Sequence, residues 1–294
     1  MSSGWFLLGA PWDCAGSGRG EAAAPAALRR AGLVDLVDAD LGDAPTVIDS
    51  TDRDEHTGVL ALPESVAAAH ALAGALGEGM RSNPGSRPLV VGGDCSLLLG
   101  VFAHLRPTLG DVGLWSVDGH PDYYEATLSE TGETADLQLG LLTGDGPAPL
   151  VELGGEVPMV HAKHAALIGH RTKDLDHGSA AELARVPAEL LEIDSDELLD
   201  APQAAGVRAR LWADQLDLPM WLHIDVDVLD PSVLPAVTYP QDGGPDFEQL
   251  ATTLTTLAAS PRLIGLSIAD FRPDLDPNGD HAAQLVALVE QLLG

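Results

Sequence analysis

With 294 residues, a net charge of -30 at neutral pH and 45% hydrophobic content, of which little is aromatic, the chain has material for a sizeable core beneath a heavily acidic surface. That charge excludes a nucleic-acid backbone or an anionic membrane as partner and leaves cationic or zwitterionic small molecules open, solubility being the plainest reason for it. No apolar run is long enough to span a bilayer, "MSSGWFLLGAPWDC" lacks the basic and apolar regions of a signal peptide, and Cys14 and Cys95 make no disulfide framework, so a cytoplasmic protein with reduced thiols is expected.

Taken in chain order, "WFLLGA" reads as a strand, and Pro25 opens a helix through "AALRRAGL" that Gly32 stops. A long helix, "LPESVAAAHALAGALGEGM", begins at Pro63 and Glu64 and is followed by the strand "PLVVGGD". "VGLWSVD", "AALIGH", "MWLHIDVDV" and "LIGLSIAD" are further strands, with helices near 201–215, 246–259 and 279–293 and a loop from Ser129 to Ala135. Alternation of strand and helix predicts a mainly parallel sheet with helices on both faces. No repeat, low-complexity tract or linker interrupts it, so residues 1–294 are expected to form one domain.

Three strand ends carry unusual chemistry: "VVGGDCS" with Asp94 and Cys95, "SVDGHPDYYE" with Asp118, His120 and Asp122, and "HIDVDVLDP" with Asp225, Asp227 and Asp230. Ligands bind at the carboxyl ends of parallel strands. Alternate strand residues point the same way, so Asp118 with His120, and Asp225 with Asp227, would each aim two donors at one point. Buried carboxylates repel and cost several kcal/mol unless something neutralises them, which makes a metal the economical explanation. Taken singly the residues have blander readings. Asp230 before Pro231 suits a turn or cap, Asp94 suits bracing of its own loop, and a lone histidine is more often a satisfied polar residue than a ligand.

"GGDCS", "SVDGHPDYYE" and "HIDVDVLDPSVLP" resemble, in order and spacing, the three signatures of the arginase or ureohydrolase family, and "LLGAPWDCAGSGRGEAAAPAALRRAGL" resembles its amino-terminal segment. The resemblance runs from about Leu7 to the last helix. It implies a three-layer α/β/α fold with an eight-stranded, mainly parallel sheet, one or two manganese ions per chain, and hydrolysis of a guanidino or amidino carbon. By position, Asp118 and Asp225 would bridge two ions, Asp122 and Cys95 would complete the first, and His120 and Asp227 the second. Asp122 and Asp270 would serve catalysis, Asp270 with Thr131 and Tyr124 would contact substrate, and a trimeric or hexameric homo-oligomer is implied. The chemistry agrees: a guanidinium carbon is a poor electrophile, and a metal pair activates water at neutral pH.

The departures are as specific as the matches. Cys95 stands where the family has histidine in "GGDH", and sulfur is a soft donor for hard manganese. "TGETAD" replaces the loop "SGNxHG", with Ala135 at the histidine. "PAVTYP" replaces "PGTGTP", with Tyr239 narrowing the space. Asp270 in "ADFRP" replaces the guanidinium-binding glutamate with a shorter reach. These changes point to a modified guanidine such as N-hydroxyarginine, with agmatine-like, guanidino-acid and formimino substrates, or a binding rather than a catalytic role, as the alternatives.

Overall fold

The computed structural model describes residues 4–294. Eight strands form one sheet: β1 (Trp5–Ala10), β2 (Ala39–Asp43), β3 (Arg87–Gly92), β4 (Gly113–Val117), β5 (Ala165–Ile168), β6 (Leu191–Ile193), β7 (Met220–Asp225) and β8 (Leu263–Ala269). Their order is β2-β1-β3-β8-β7-β4-β5-β6, and every pairing is parallel, so all eight carboxyl ends share one edge.

Both faces of the sheet are covered, which is why the inner strands are apolar at nearly every position. Side-chain alternation divides the core in two. Leu7, Leu89, Leu222 and Leu266 pack on one face beneath helices Ala24–Arg30, Pro202–Leu216, Phe247–Ala258 and Asp280–Leu293. Phe6, Leu8, Val90 and Leu114 pack on the other beneath Leu62–Ser82, Leu97–Leu109 and Gln138–Leu142. The expected three-layer α/β/α arrangement is therefore present. Asp246 caps Phe247–Ala258 by accepting from Gln249 N at 2.8 Å, while the Gln249 side chain returns the bond to Asp246 N. Among the described residues, no helix is long and apolar enough to cross a membrane.

Candidate metal centre

β3 runs into Asp94 and Cys95, β4 into Asp118, β7 ends on Asp225, and Asp270 follows β8; the order β3-β8-β7-β4 makes these four ends neighbours. Strand alternation is not what aligns the donors. β4 stops at Val117 and β7 at Asp225, so His120 and Asp227 lie in turns beyond their strands. Each turn is closed by the aspartate that opens it. Asp118 Oδ1 accepts from His120 N at 2.7 Å, and Asp225 Oδ1 accepts from Asp227 N at 2.8 Å. Gly119 is required between them, because a Cβ there would lie 2.9 Å from the Asp227 carbonyl.

Two groups of donors result. Ligand atoms of Asp118, His120 and Asp227 lie within 4.8 Å of one another, as do those of Cys95, Asp225 and Asp270. Asp122 adjoins the second group, accepting from Cys95 Sγ at 3.1 Å. Asp122 and Asp270 both have left-handed backbone, φ 49 and 69, a strained conformation for a residue with a Cβ and one that recurs at functional sites. Asp94 has the bracing role instead, with Oδ1 accepting from Ser96 N at 3.0 Å and Oδ2 from Cys14 N at 2.6 Å. Asp230 closes a turn through Ser232 N at 3.0 Å, and His223, within β7, pairs its Nδ1 with Ser267 Oγ of β8 at 2.8 Å.

The electrostatics ask for positive charge. Burial, reinforced by the Asp227 charge, pushes Asp118 up to about 7, and burial among other carboxylates lifts Asp122, Asp225 and Asp270 well above the usual range. Desolvation opposes the His120 cation, but Asp227, whose Oδ2 accepts from Nδ1 at 2.9 Å, wins and holds the imidazole at about 9. Asp118 Oδ2 and Asp270 Oδ2 are buried without a hydrogen-bond partner among the described residues. One imidazole cannot offset five carboxylates. An oxygen-rich set with orphaned buried acceptors fits divalent cations.

Arg171 holds this edge from behind. It is 3% exposed and donates to the carbonyls of Gln241 at 2.8 Å, Gly169 at 3.1 Å and, more weakly, Asp227 and Leu229 at 3.4 Å. Arg171→Met leaves several buried carbonyls without a donor, so it is expected to lower stability by about 2–4 kcal/mol, read as the shift of the urea midpoint. An unchanged midpoint would mean that other donors satisfy those carbonyls.

Above the donors lies a pocket of about 430 Å³. Cys95, His120, Asp122, Asp225, Asp227 and Asp270 form its floor, and Tyr124, Thr131, Ala135 and Tyr239 line its walls. Asp118, beneath them, is 1% exposed. Sequence reasoning missed four further residues. Asp136 and Glu182 line the wall. Arg19 reaches from the amino-terminal loop to Glu133 at 2.7 and 3.0 Å and stacks 5.7 Å from the Tyr239 ring centre. Asp136 and Glu133 lie within the recognised "TGETAD" loop and were legible there; Glu182 and Arg19 are brought in by contacts remote in sequence.

The family model described as the arginase family matches residues 3–294. The arginase of Brevibacillus brevis is 28% identical over 302 aligned residues, covering 100% of this chain and 99% of that protein. The arginase of Bacillus caldovelox is 28% identical over 98% of this chain and 97% of its own length. A solved structure of the Bacillus caldovelox enzyme superposes with a TM-score of 0.88 at 26% identity, covering 99% of this chain and 98% of that one. The likeness therefore extends through fold and sequence from end to end, and the chain belongs to the arginase family.

Proposed function

We propose that this chain is a manganese-dependent hydrolase of a guanidino or amidino C–N bond, releasing urea or a relative of it. The observation that carries the reading is the convergence of two donor groups, Asp118, His120 and Asp227 with Cys95, Asp225 and Asp270, at and just beneath the floor of one acidic pocket. Asp118, His120, Asp122, Asp225 and Asp227 would hold the metal pair, with Cys95 as a weak sixth donor. When bound, the pair supplies Lewis-acid activation of water at neutral pH.

The chain's own groups bind and orient. Asp270 is 8% exposed with one oxygen unpartnered, a carboxylate suited to two parallel hydrogen bonds from a guanidinium. Tyr124 and Thr131 flank the substrate on the pocket wall. Because Cys95 is a poor donor for manganese and Ala135 leaves no imidazole to move protons, the reading favours a guanidine of lowered basicity at the reactive end, an N-hydroxyguanidine of the kind found in N-hydroxyarginine.

The test is metal analysis together with urea release from a panel of guanidino and amidino compounds that includes N-hydroxyarginine. Manganese-loaded protein that releases nothing from any of them would overturn the reading. Within the panel, Asp270→Asn is expected to raise KM at least tenfold, or to abolish turnover, while metal content holds constant; about 1.4 kcal/mol of lost binding corresponds to each factor of ten. Loss of metal from that variant would make Asp270 a ligand, as its closeness to Cys95 and Asp225 allows.

A further inference from the structure

Two segments in which the chain departs from the family pattern, "TGETAD" and "PAVTYP", are joined in space by a residue from a third. Arg19, in the loop after β1, places its guanidinium fork on Glu133, Nη2 donating to Oε2 at 2.7 Å and Nη1 to Oε1 at 3.0 Å. The same Nη1 donates to the Tyr239 hydroxyl at 3.1 Å, and the guanidinium lies 5.7 Å from the Tyr239 ring centre. Among the described residues Arg19 is the only cation paired with Glu133, which is buried. A planar fork can meet both carboxylate oxygens and cover a ring at once, which an ammonium cannot do.

Both ends of this clasp are anchored. Asp13 Oδ2 accepts from Gly18 N at 2.7 Å and from Arg19 N at 3.1 Å, so the amino-terminal loop presents Arg19 from a fixed backbone. Glu21, just beyond, accepts from the hydroxyl of Thr238, the neighbour of Tyr239. Arg53 donates to the carbonyls of Ser129 and, at 3.1 Å, Glu130, and holds the start of the loop that carries Glu133. Arg19 is not itself open to a ligand anion, because Glu133 occupies its fork and Glu21 Oε2 lies 3.7 Å from its Nε.

The clasp stands where substrate bulk is decided. Tyr239 lines the pocket and is 40% exposed, so its ring marks a place where the lining reaches solvent. Thr131 and Ala135, on either side of Glu133, line the pocket as well. Freed from Arg19, the Tyr239 hydroxyl would keep only the long bonds to Glu133 at 3.4 Å, and the ring would sample other rotamers.

We propose that Arg19 is a positioning residue for this pocket: by clasping Glu133 and Tyr239 it locks the two departing loops together and sets how bulky a substrate tail the pocket admits. That a guanidine's tail occupies the pocket rests on the function proposed above; the clasp does not.

Arg19→Met keeps a long stem and removes fork and charge, whereas Arg19→Lys keeps the charge without the fork or the flat face. In the metal-loaded enzyme Arg19→Met is expected to raise KM about tenfold for the best substrate of the panel with kcat within about twofold, the pattern of lost binding that ground and transition states share. It should also shrink the preference for an unbranched over an aryl tail by about fivefold or more, a discrimination of the size that pocket shape supplies. Arg19→Lys should fall between parent and Arg19→Met. Glu133→Gln added to Arg19→Met should change nothing further, since its partner is already lost. An unchanged KM and preference, a fall in kcat alone, or a further rise in KM from Glu133→Gln would overturn the proposal. Hydrogen exchange tests the clasp without turnover. Amides in 129–136 and in 236–242 should both exchange about tenfold faster or more in Arg19→Met, as loss of charged hydrogen bonds implies, while those of β7 keep their protection. That result supports the clasp even if no guanidine is hydrolysed, in which case the hydrolase reading alone fails. Faster exchange in one segment only, or in neither, overturns the clasp.

Discussion

Replacing Asp225 with asparagine is expected to remove bound metal and activity together while leaving the fold intact. Asp225 is 2% exposed at the end of β7, in the donor group with Cys95 and Asp270. Its Oδ1 closes the turn onto Asp227 N at 2.8 Å, and an asparagine oxygen can accept the same bond, so the backbone has no reason to move. What is lost is a charge at one of the two positions that the family resemblance assigns to both ions. A ligand that binds only the native state stabilises it by about 2.7 kcal/mol at a hundredfold excess over Kd, which for a chain of this size is a thermal shift of roughly 5 °C or more. The parent protein's midpoint should fall by that amount on chelation, and that of Asp225→Asn should not respond. Metal affinity should fall further than the roughly 10–100-fold typical of changes outside the coordination shell. Protein that carries no metal when purified and has the same midpoint before and after chelation would sink the metal reading.

The parts of this molecule that follow local rules were readable in its sequence. β1, β3, β4, β5, β7 and β8 fall on the apolar runs that predict them, and Leu62–Ser82, Pro202–Leu216, Phe247–Ala258 and Asp280–Leu293 on the amphipathic stretches. Leu97–Leu109 escapes that reading because "LLLGVFAHLRPTL" opens on a short, nearly continuous apolar run, which periodicity alone cannot assign to helix or strand. β2, "ADLGD", is an edge strand exposed along most of its length, and β6 has three residues; neither offers an apolar pattern.

The candidate site divides in the same way. Its donors were named by motif, but the expectation that strand alternation would converge them is corrected by the turns at Asp118–His120 and Asp225–Asp227, where a side chain on a backbone N–H, and not the pleat, sets direction. Glu182 could not be found from sequence, and Glu133, though inside the quoted "TGETAD", carries no local sign of its partner. Their roles depend on Tyr123 and Arg19, 59 and 114 residues away, and no local pattern encodes such pairings. Tyr239 was read as narrowing the pocket, and it does line it; that Arg19 stacks on it and ties it to Glu133 is tertiary information.

Cys95→His is expected to raise manganese content towards two ions per chain and to increase turnover of unmodified guanidines by about tenfold or more. Cys95 is 3% exposed, lines the pocket and donates to Asp122 Oδ2 at 3.1 Å, so its side chain already occupies a ligand's place. Burial, then the charges of Asp122, Asp270, Asp225 and Asp118, pushes its thiol well above the ordinary cysteine range. A thiol must lose that proton to bind metal, and the resulting sulfur is a softer donor than manganese prefers. Imidazole removes both obstacles, since it coordinates while neutral and the pocket above gives the ring room. Cys95→Ser is the control: it keeps the size and hydrogen bond to Asp122 without supplying a strong ligand, so neither occupancy nor substrate range should gain. If Cys95→His leaves both as they were, Cys95 packs beneath the pocket loop and nothing more. The unusual specificity then has to come from above the donors, from Ala135 where the family's imidazole would stand, from Tyr239, and from the acidic wall of Asp136 and Glu182.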